Sequence, residues 1–109
     1  MMLVLFDQGT PKPLRAFLKG HTIKTAWEQG WSALSNGELL QAAEAAGFEV
    51  MVTTDKHQTH TQNLSNCKLA LVVLGNSQWP VLRLHAARVA GAVNAAIAGS
   101  YVEVEIPHE

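Results

Sequence analysis

The sequence predicts an α/β protein: three layers, α/β/α, around a mostly parallel central sheet of about five strands. Strand-like and helix-like stretches alternate four times with short links, the pattern of crossover units rather than hairpins. Leu69–Leu74 is apolar at every position, as a strand covered on both faces must be. Two further apolar runs, Met2–Phe6 and Val50–Thr54, stop at Asp7 and Asp55, so each strand delivers an aspartate to the rim of the sheet. In an open parallel sheet, ligands sit just outside the carboxyl ends of the strands, and that places both aspartates where chemistry is expected.

Each element has its own signature. After Asp7, Gln8-Gly9-Thr10-Pro11 reads as a turn, with Thr10 as N-cap and Pro11 at the first helical position. Leu14, Phe17 and Leu18 then form the one-sided stripe of a helix packed on the sheet, and Gly20 ends it. His21–Ala26 alternates and holds three β-branched residues, which suits a short edge strand. Trp27 and Trp31 flank Gly30 in an irregular stretch and read as packing residues over the end of a core.

A helix opening at Ser35-Asn36-Gly37-Glu38 should turn Leu39, Leu40, Ala43 and Ala46 inward and stop at Gly47. The strand Phe48–Thr54 follows, then a polar loop with a short helix ending near Leu64. Beyond the buried strand, Val81–Ala98 reads as the longest helix, with Leu82, Ala86, Val89, Val93 and Ile97 on one face. Tyr101–Ile106 alternates as a half-exposed last strand should. Right-handed crossovers are the default for such units.

The 109 residues, 48% of them hydrophobic, suffice for one domain, 1–109, with a core of its own. Eight Lys and Arg against nine Asp and Glu leave a formal charge of −1, so no global basic field advertises a nucleic-acid binder. Lys12, Arg15, Lys19 and Lys24 do cluster in the first quarter, as a local positive face or an ordinary solvated surface. The single cysteine, Cys67, excludes an internal disulfide. With no apolar run of the ~18 residues a membrane span needs, a soluble, cytoplasmic protein without membrane contact is expected.

Asp7, Asp55 and Glu38, at the start of the helix feeding the second aspartate strand, would converge on one rim if those strands are neighbours. Three carboxylates packed closely repel one another unless a cation joins them, and a hard ion such as Mg²⁺ or Mn²⁺ takes such oxygen ligands. Such an ion can acidify a bound water and neutralise charge on a phosphodiester. Each residue also has a structural reading. Asp55 can N-cap the following helix, Asp7 can bond into the Gly9 turn, and Glu38 can form a capping box with Ser35.

The chain resembles the small bacterial PIN-like proteins, relatives of the PilT N-terminal nuclease fold. The resemblance rests on Phe6-Asp7-Gln8 after a strand, Trp27-Glu28-Gln29-Gly30-Trp31, Asn36-Gly37-Glu38-Leu39-Leu40, Thr53-Thr54-Asp55-Lys56 and Gln62-Asn63-Leu64, in that order along nearly the whole chain. It implies an acidic pocket that holds Mg²⁺ or Mn²⁺ for RNA cleavage, with Asp7, Glu38 and Asp55 as the catalytic, metal-holding set. It further implies a homodimer and the role of toxin beside an antitoxin protein. Asn36 and His57 stand where relatives commonly carry further acidic residues, which leaves fewer carboxylates for the metal.

Asn36, Lys56, His57, Asn76 and Ser77 are the candidate substrate-binding residues. His57 and His60, three apart, can share a helical face as metal ligands or lie exposed in a loop. Two other site types are disfavoured. A phosphoacceptor receiver needs a pair of acids after the first strand and a lysine after the last, but Gln8 follows Asp7 and 101–109 holds no lysine. A dinucleotide-binding half-domain needs a Gly-x-Gly-x-x-Gly turn that Asp7–Pro11 does not supply. The competing function is a PIN-like module with a silent pocket, binding a partner through exposed Trp31 or Trp79.

Overall fold

Five strands, β1 (Leu3–Phe6), β2 (Thr22–Thr25), β3 (Val50–Thr53), β4 (Ala70–Leu74) and β5 (Tyr101–Val104), form one sheet in the order β2-β1-β3-β4-β5. All four pairings are parallel, so the expected mostly parallel sheet is parallel throughout. This computed structural model describes residues 2–54 and 68–106. Asp55, Lys56, His57, His60 and Cys67 lie outside the described residues, as does the polar loop expected to hold a short helix. Among the described residues no helix is long and apolar enough to cross a membrane.

Alternate residues of the strands feed two cores. Val4, Phe6, Val50, Val52, Val72 and Leu74 pack under a 3-10 helix (Lys12–Phe17) and the helices α2 (Trp79–Leu82) and α3 (Ala86–Asn94). Leu5, Met51 and Leu71 point to the other face, where α1 (Asn36–Ala45) covers them with Leu39, Leu40 and Ala43. All five residues of β4 are buried, as an uninterrupted apolar run covered on both sides requires. Each fully buried aliphatic side chain here stabilises the fold by about 1.5–3 kcal/mol relative to exposure.

The layers carry an unusual chirality. The chain steps in the same direction across the sheet from β2 to β3 and from β4 to β5, yet α1 lies on one face and α3 on the other. The two crossovers therefore have opposite hands, and one of them departs from the right-handed rule expected from the sequence. The β1 to β2 step, in the reverse direction on the α3 face, has the hand of the β2 to β3 step. The β4-α3-β5 crossover is thus the one whose hand differs from the other two.

Other differences from the expected elements have local causes. The first helix is a 3-10 helix whose flanking Pro11 makes no side-chain cap; Thr10 is spent elsewhere, as described below. The expected long helix 81–98 is broken: α2 gives way to a 3-10 turn, Arg83–His85, before α3 resumes. His85 has left the helical well, at φ −120° and ψ 18°. Leu82, Ala86, Val89 and Val93 are buried as expected, but Ile97 is 71% exposed.

Ile97 misses the core because the chain must turn back toward the start of β4 before β5 can pair. The Gly99 N–H donates to the Lys68 carbonyl, and Leu71 N–H to the Ser100 carbonyl. Ala46, also expected inward, sits exposed past the last turn of α1, where Gly47 adopts φ +88°. At the outer edge, Tyr101, Val102 and Glu103 are exposed, and the charge of Glu103 discourages edge-to-edge pairing.

Candidate functional site at the strand ends

Asp7 stands at the carboxyl end of β1, at the point where strand order reverses between β1 and β3. That crevice is the binding position of doubly wound sheets. Its N–H still pairs with the Val52 carbonyl, so the residue leaves the sheet only at its side chain. Only 8% of Asp7 is exposed, and among the described residues Gly9, Thr10 and Thr53 donate to its carboxylate. Oδ1 accepts from the Gly9 N–H at 3.1 Å and from the Thr10 hydroxyl at 2.8 Å, and Oδ2 accepts from the buried Thr53 hydroxyl of β3. Thr10 Oγ1 also lies 2.9 Å from the Val52 carbonyl, so its one proton is shared between two acceptors.

The tips of β1 and β3 are drawn together at Gly9. A Cβ there would stand 2.5 Å from the Thr54 hydroxyl, closer than real atoms approach, so any larger residue at this position would force the Thr54 side chain to turn away. Thr54 immediately precedes Asp55. Asp55 itself, the partner expected for Asp7, lies outside the described residues.

A cavity of about 310 Å³ opens beside Asp7 on its β2 side, lined by Asp7, Gln8, Thr10, Lys12, Thr25 and Trp27. Lys12, first residue of the 3-10 helix, holds its ammonium 5.2 Å from the centre of the Trp27 ring. Gln8 crosses to the connector before α1, its amide donating to the Ser32 carbonyl at 2.9 Å. The N-terminal approach to α1 is thereby tied to the rim that carries Asp7.

Trp27 and Trp31 diverge from their shared expectation. Trp31 is a packing residue, edge-on to Phe48 with ring centres 5.9 Å apart. Trp27 is 69% exposed and lies at the cavity mouth, covering no core. It rides on a braced turn. Thr25 N–H donates to Glu28 Oε1 at 2.9 Å, the Glu28 N–H returns to the Thr25 hydroxyl, and Arg15 pairs with Glu28 at 2.6 Å. The Arg15 hydrogen bond foremost, then the Thr25 N–H, bring the Glu28 carboxyl down to about 2. The signal for this brace was legible as Thr-x-x-Glu at 25–28, the spacing of a capping box.

Glu38 takes its structural role. Ser35 N–H donates to Glu38 Oε1 at 2.9 Å and Glu38 N–H donates back to the Ser35 hydroxyl, the reciprocal box that opens α1. The Ser35 N–H, and after it the Ser35 hydroxyl, hold the Glu38 carboxyl below its ordinary value. Glu38 does not line the cavity beside Asp7. Asn36 is the first residue of α1. At the end of β4, Asn76 Oδ1 accepts from the Gln78 N–H at 2.8 Å, ordinary turn chemistry leading into α2, and Ser77 is exposed beside it.

No family model matches the chain, and neither does any curated protein or solved structure. The site's chemistry therefore rests on its own atoms.

The oxygen groups lining the cavity are the Asp7 carboxylate, the hydroxyls of Thr10 and Thr25 and the amide oxygen of Gln8, with the Lys12 ammonium beside them. Among the described residues no group of three His, Cys, Asp or Glu side chains is placed to hold a metal ion. This donor set fits a hard cation held by one or two carboxylates with water completing the shell, as Mg²⁺ is usually bound. Of the four cations clustered in the first quarter of the sequence, Lys12 alone lines the cavity, and Arg15 is committed to Glu28.

Proposed function

We propose that the chain is a metal-dependent ribonuclease of the PIN-like type, with RNA as substrate and Mg²⁺ or Mn²⁺ held between Asp7 and Asp55. One observation carries the reading: a buried, rigidly oriented aspartate at the β1/β3 crevice, on the wall of an open cavity, with Thr54, the residue before Asp55 in the sequence, beside Gly9. The bound ion would supply an activated water and neutralise charge building on the phosphodiester.

The chain's own residues divide the remaining work. Thr53, Thr10 and the Gly9 N–H fix the rotamer of Asp7, so its oxygens need no reorganisation on binding. Lys12 offers a cation to a substrate phosphate at the cavity mouth. Glu38 completes the carboxylate set implied by the resemblance, while its capping bond to Ser35 N–H fixes the start of α1. Lys56 and His57 follow Asp55 as candidate phosphate contacts, and the role of toxin within an antitoxin pair or a homodimer is the biology such an enzyme would serve.

Incubating the protein with single-stranded RNA and Mn²⁺, beside Asp7→Asn and Asp55→Asn variants, tests the reading. Cleavage by the parent chain and at least a hundredfold loss in both variants is expected. Equal cleavage in all three, or none in any across varied RNAs, rejects it. A second reading, a catalytically silent binding module, is favoured by the three protein donors on Asp7 and the capping bond on Glu38, which give both carboxylates structural work.

A further inference from the structure

We propose that Trp27 is a stacking platform for one unpaired base of a bound single-stranded polynucleotide, with Lys12 receiving the adjacent phosphate. The proposal rests on reading the Asp7 cavity as a strand-binding site. It adds the element that seats the strand. An indole 69% exposed at a cavity mouth covers no core, so its surroundings, not the fold, account for its place. Those surroundings are a cation, a carboxylate and three polar side chains, Gln8, Thr10 and Thr25, around about 310 Å³. An apolar face beside such groups matches what a nucleotide presents: a flat base on one side and a charged phosphate on the other.

The platform is fixed before any ligand arrives. Gln29 N–H donates to the Thr25 carbonyl and Gly30 N–H to the Trp27 carbonyl, closing the turn around Trp27. The reciprocal bonds of Thr25 and Glu28, held by Arg15, brace it from beneath. Ala26 N–H ties the same turn to the Phe6 carbonyl, one residue before Asp7, so ring and carboxylate share one rigid frame.

Lys12 occupies the ring in the free protein, 5.2 Å from its centre. An exposed cation–π contact is worth less than base stacking on an aromatic ring, so a base can displace the ammonium. The displaced ammonium then meets the phosphate that the same nucleotide brings. Lys12 thus exchanges a contact with the open indole for a stronger partner on binding.

The test is titration of the full chain with short oligouridine and oligoadenine, as RNA and as DNA of the same sequences, in excess EDTA so that cleavage plays no part. Trp27→Ala should weaken binding roughly tenfold or more, Trp27→Phe by less than about threefold, and an oligonucleotide abasic at every position should lose its dependence on Trp27. Lys12→Ala should lower the slope of log affinity against log salt by about 0.7, the value for one phosphate contact on a single strand. Because Trp27 and Lys12 are exposed, thermal melts of the variants should match the parent. The RNA and DNA arms show which backbone is preferred, and dependence on Trp27 in either supports the proposal.

Unchanged affinity in Trp27→Ala overturns it, as does absence of saturable binding by the parent to any of the four oligonucleotides. The latter result would point to a protein partner at Trp27 instead. Binding that depends on Trp27 without any cleavage in Mn²⁺ leaves this inference standing and removes the ribonuclease. Cleavage that depends on Asp7 but not on Trp27 does the reverse.

Discussion

Replacing Asp7 by alanine separates what its carboxylate does for the fold from what it offers a ligand. The substitution strands three donors, Gly9 N–H, the Thr10 hydroxyl and the Thr53 hydroxyl. Thr10 can give its proton wholly to the Val52 carbonyl at 2.9 Å, so that bond is largely recovered. The other two are hydrogen bonds to a charged acceptor, worth about 1.5–3 kcal/mol each, and releasing a mostly buried charge offsets part of the loss. The net expectation is a destabilisation of about 3 kcal/mol.

Asp7→Asn should cost only about 1 kcal/mol. Its amide oxygen can still accept from Gly9 and Thr10, and the Thr53 hydroxyl can turn round to accept from the new NH₂. Urea unfolding with unchanged m separates the two variants by their midpoints. An alanine variant within 0.5 kcal/mol of the parent would refute the view that Asp7 holds the β1 and β3 tips together. The asparagine variant is consequently the sound probe of function, since it removes the charge and keeps the frame.

Four smaller outcomes follow from the same geometry. Glu28 and Glu38 have lowered carboxyls, so what they add to stability is fully present above about 4.5 and fades as pH falls, for Glu28 towards about 2. Thermal melts of Glu28→Gln should accordingly lose less between pH 5 and pH 3 than those of the parent. Ser35→Ala removes half the box at α1 and should cost about 1 kcal/mol, read by urea unfolding and by faster amide exchange in the first turn. Gly75→Ala places a Cβ 3.2 Å from the Ile106 nitrogen and 3.4 Å from the Val104 carbonyl, so β5 must shift, at a cost of about 1–3 kcal/mol in the same assay. His21 Nδ1 accepts from the Met2 N–H, so the neutral ring carries its proton on Nε2 and donates it to Asn94 Oδ1; nitrogen NMR shifts should report that tautomer.

The sequence disclosed the strands best where burial is two-sided. Leu69–Leu74 leaves no other reading, and the apolar runs ending at Asp7 and Asp55 located the rim. Ser35 and Glu38 announced their capping box by spacing alone. Helix extent was less legible. Ile97 keeps the period of Val89 and Val93, but periodicity records which face a helix would bury and not where the chain must turn to reach β5.

The chirality of β4-α3-β5 was hidden for a related reason, since nothing local in sequence says on which face a crossover lies. At the site, the role of Thr53 as a donor to Asp7, and of Thr10 as a donor to the Val52 carbonyl, depends on contacts more than forty residues apart in sequence. Trp27 and Trp31 show the limit most plainly. They are four residues apart in one connector, one edge-on to Phe48 in the core and the other at the cavity mouth, and composition cannot separate them.

The most direct measurement of whether Asp7 and Asp55 hold a cation is paramagnetic broadening of backbone amide resonances by substoichiometric Mn²⁺. Selective broadening of Gly9, Thr10, Thr53 and Thr54, abolished in Asp7→Asn, is the expected result. Broadening centred instead on the acidic edge at Glu103 and Glu105, or persisting unchanged in Asp7→Asn, would contradict a metal at this crevice.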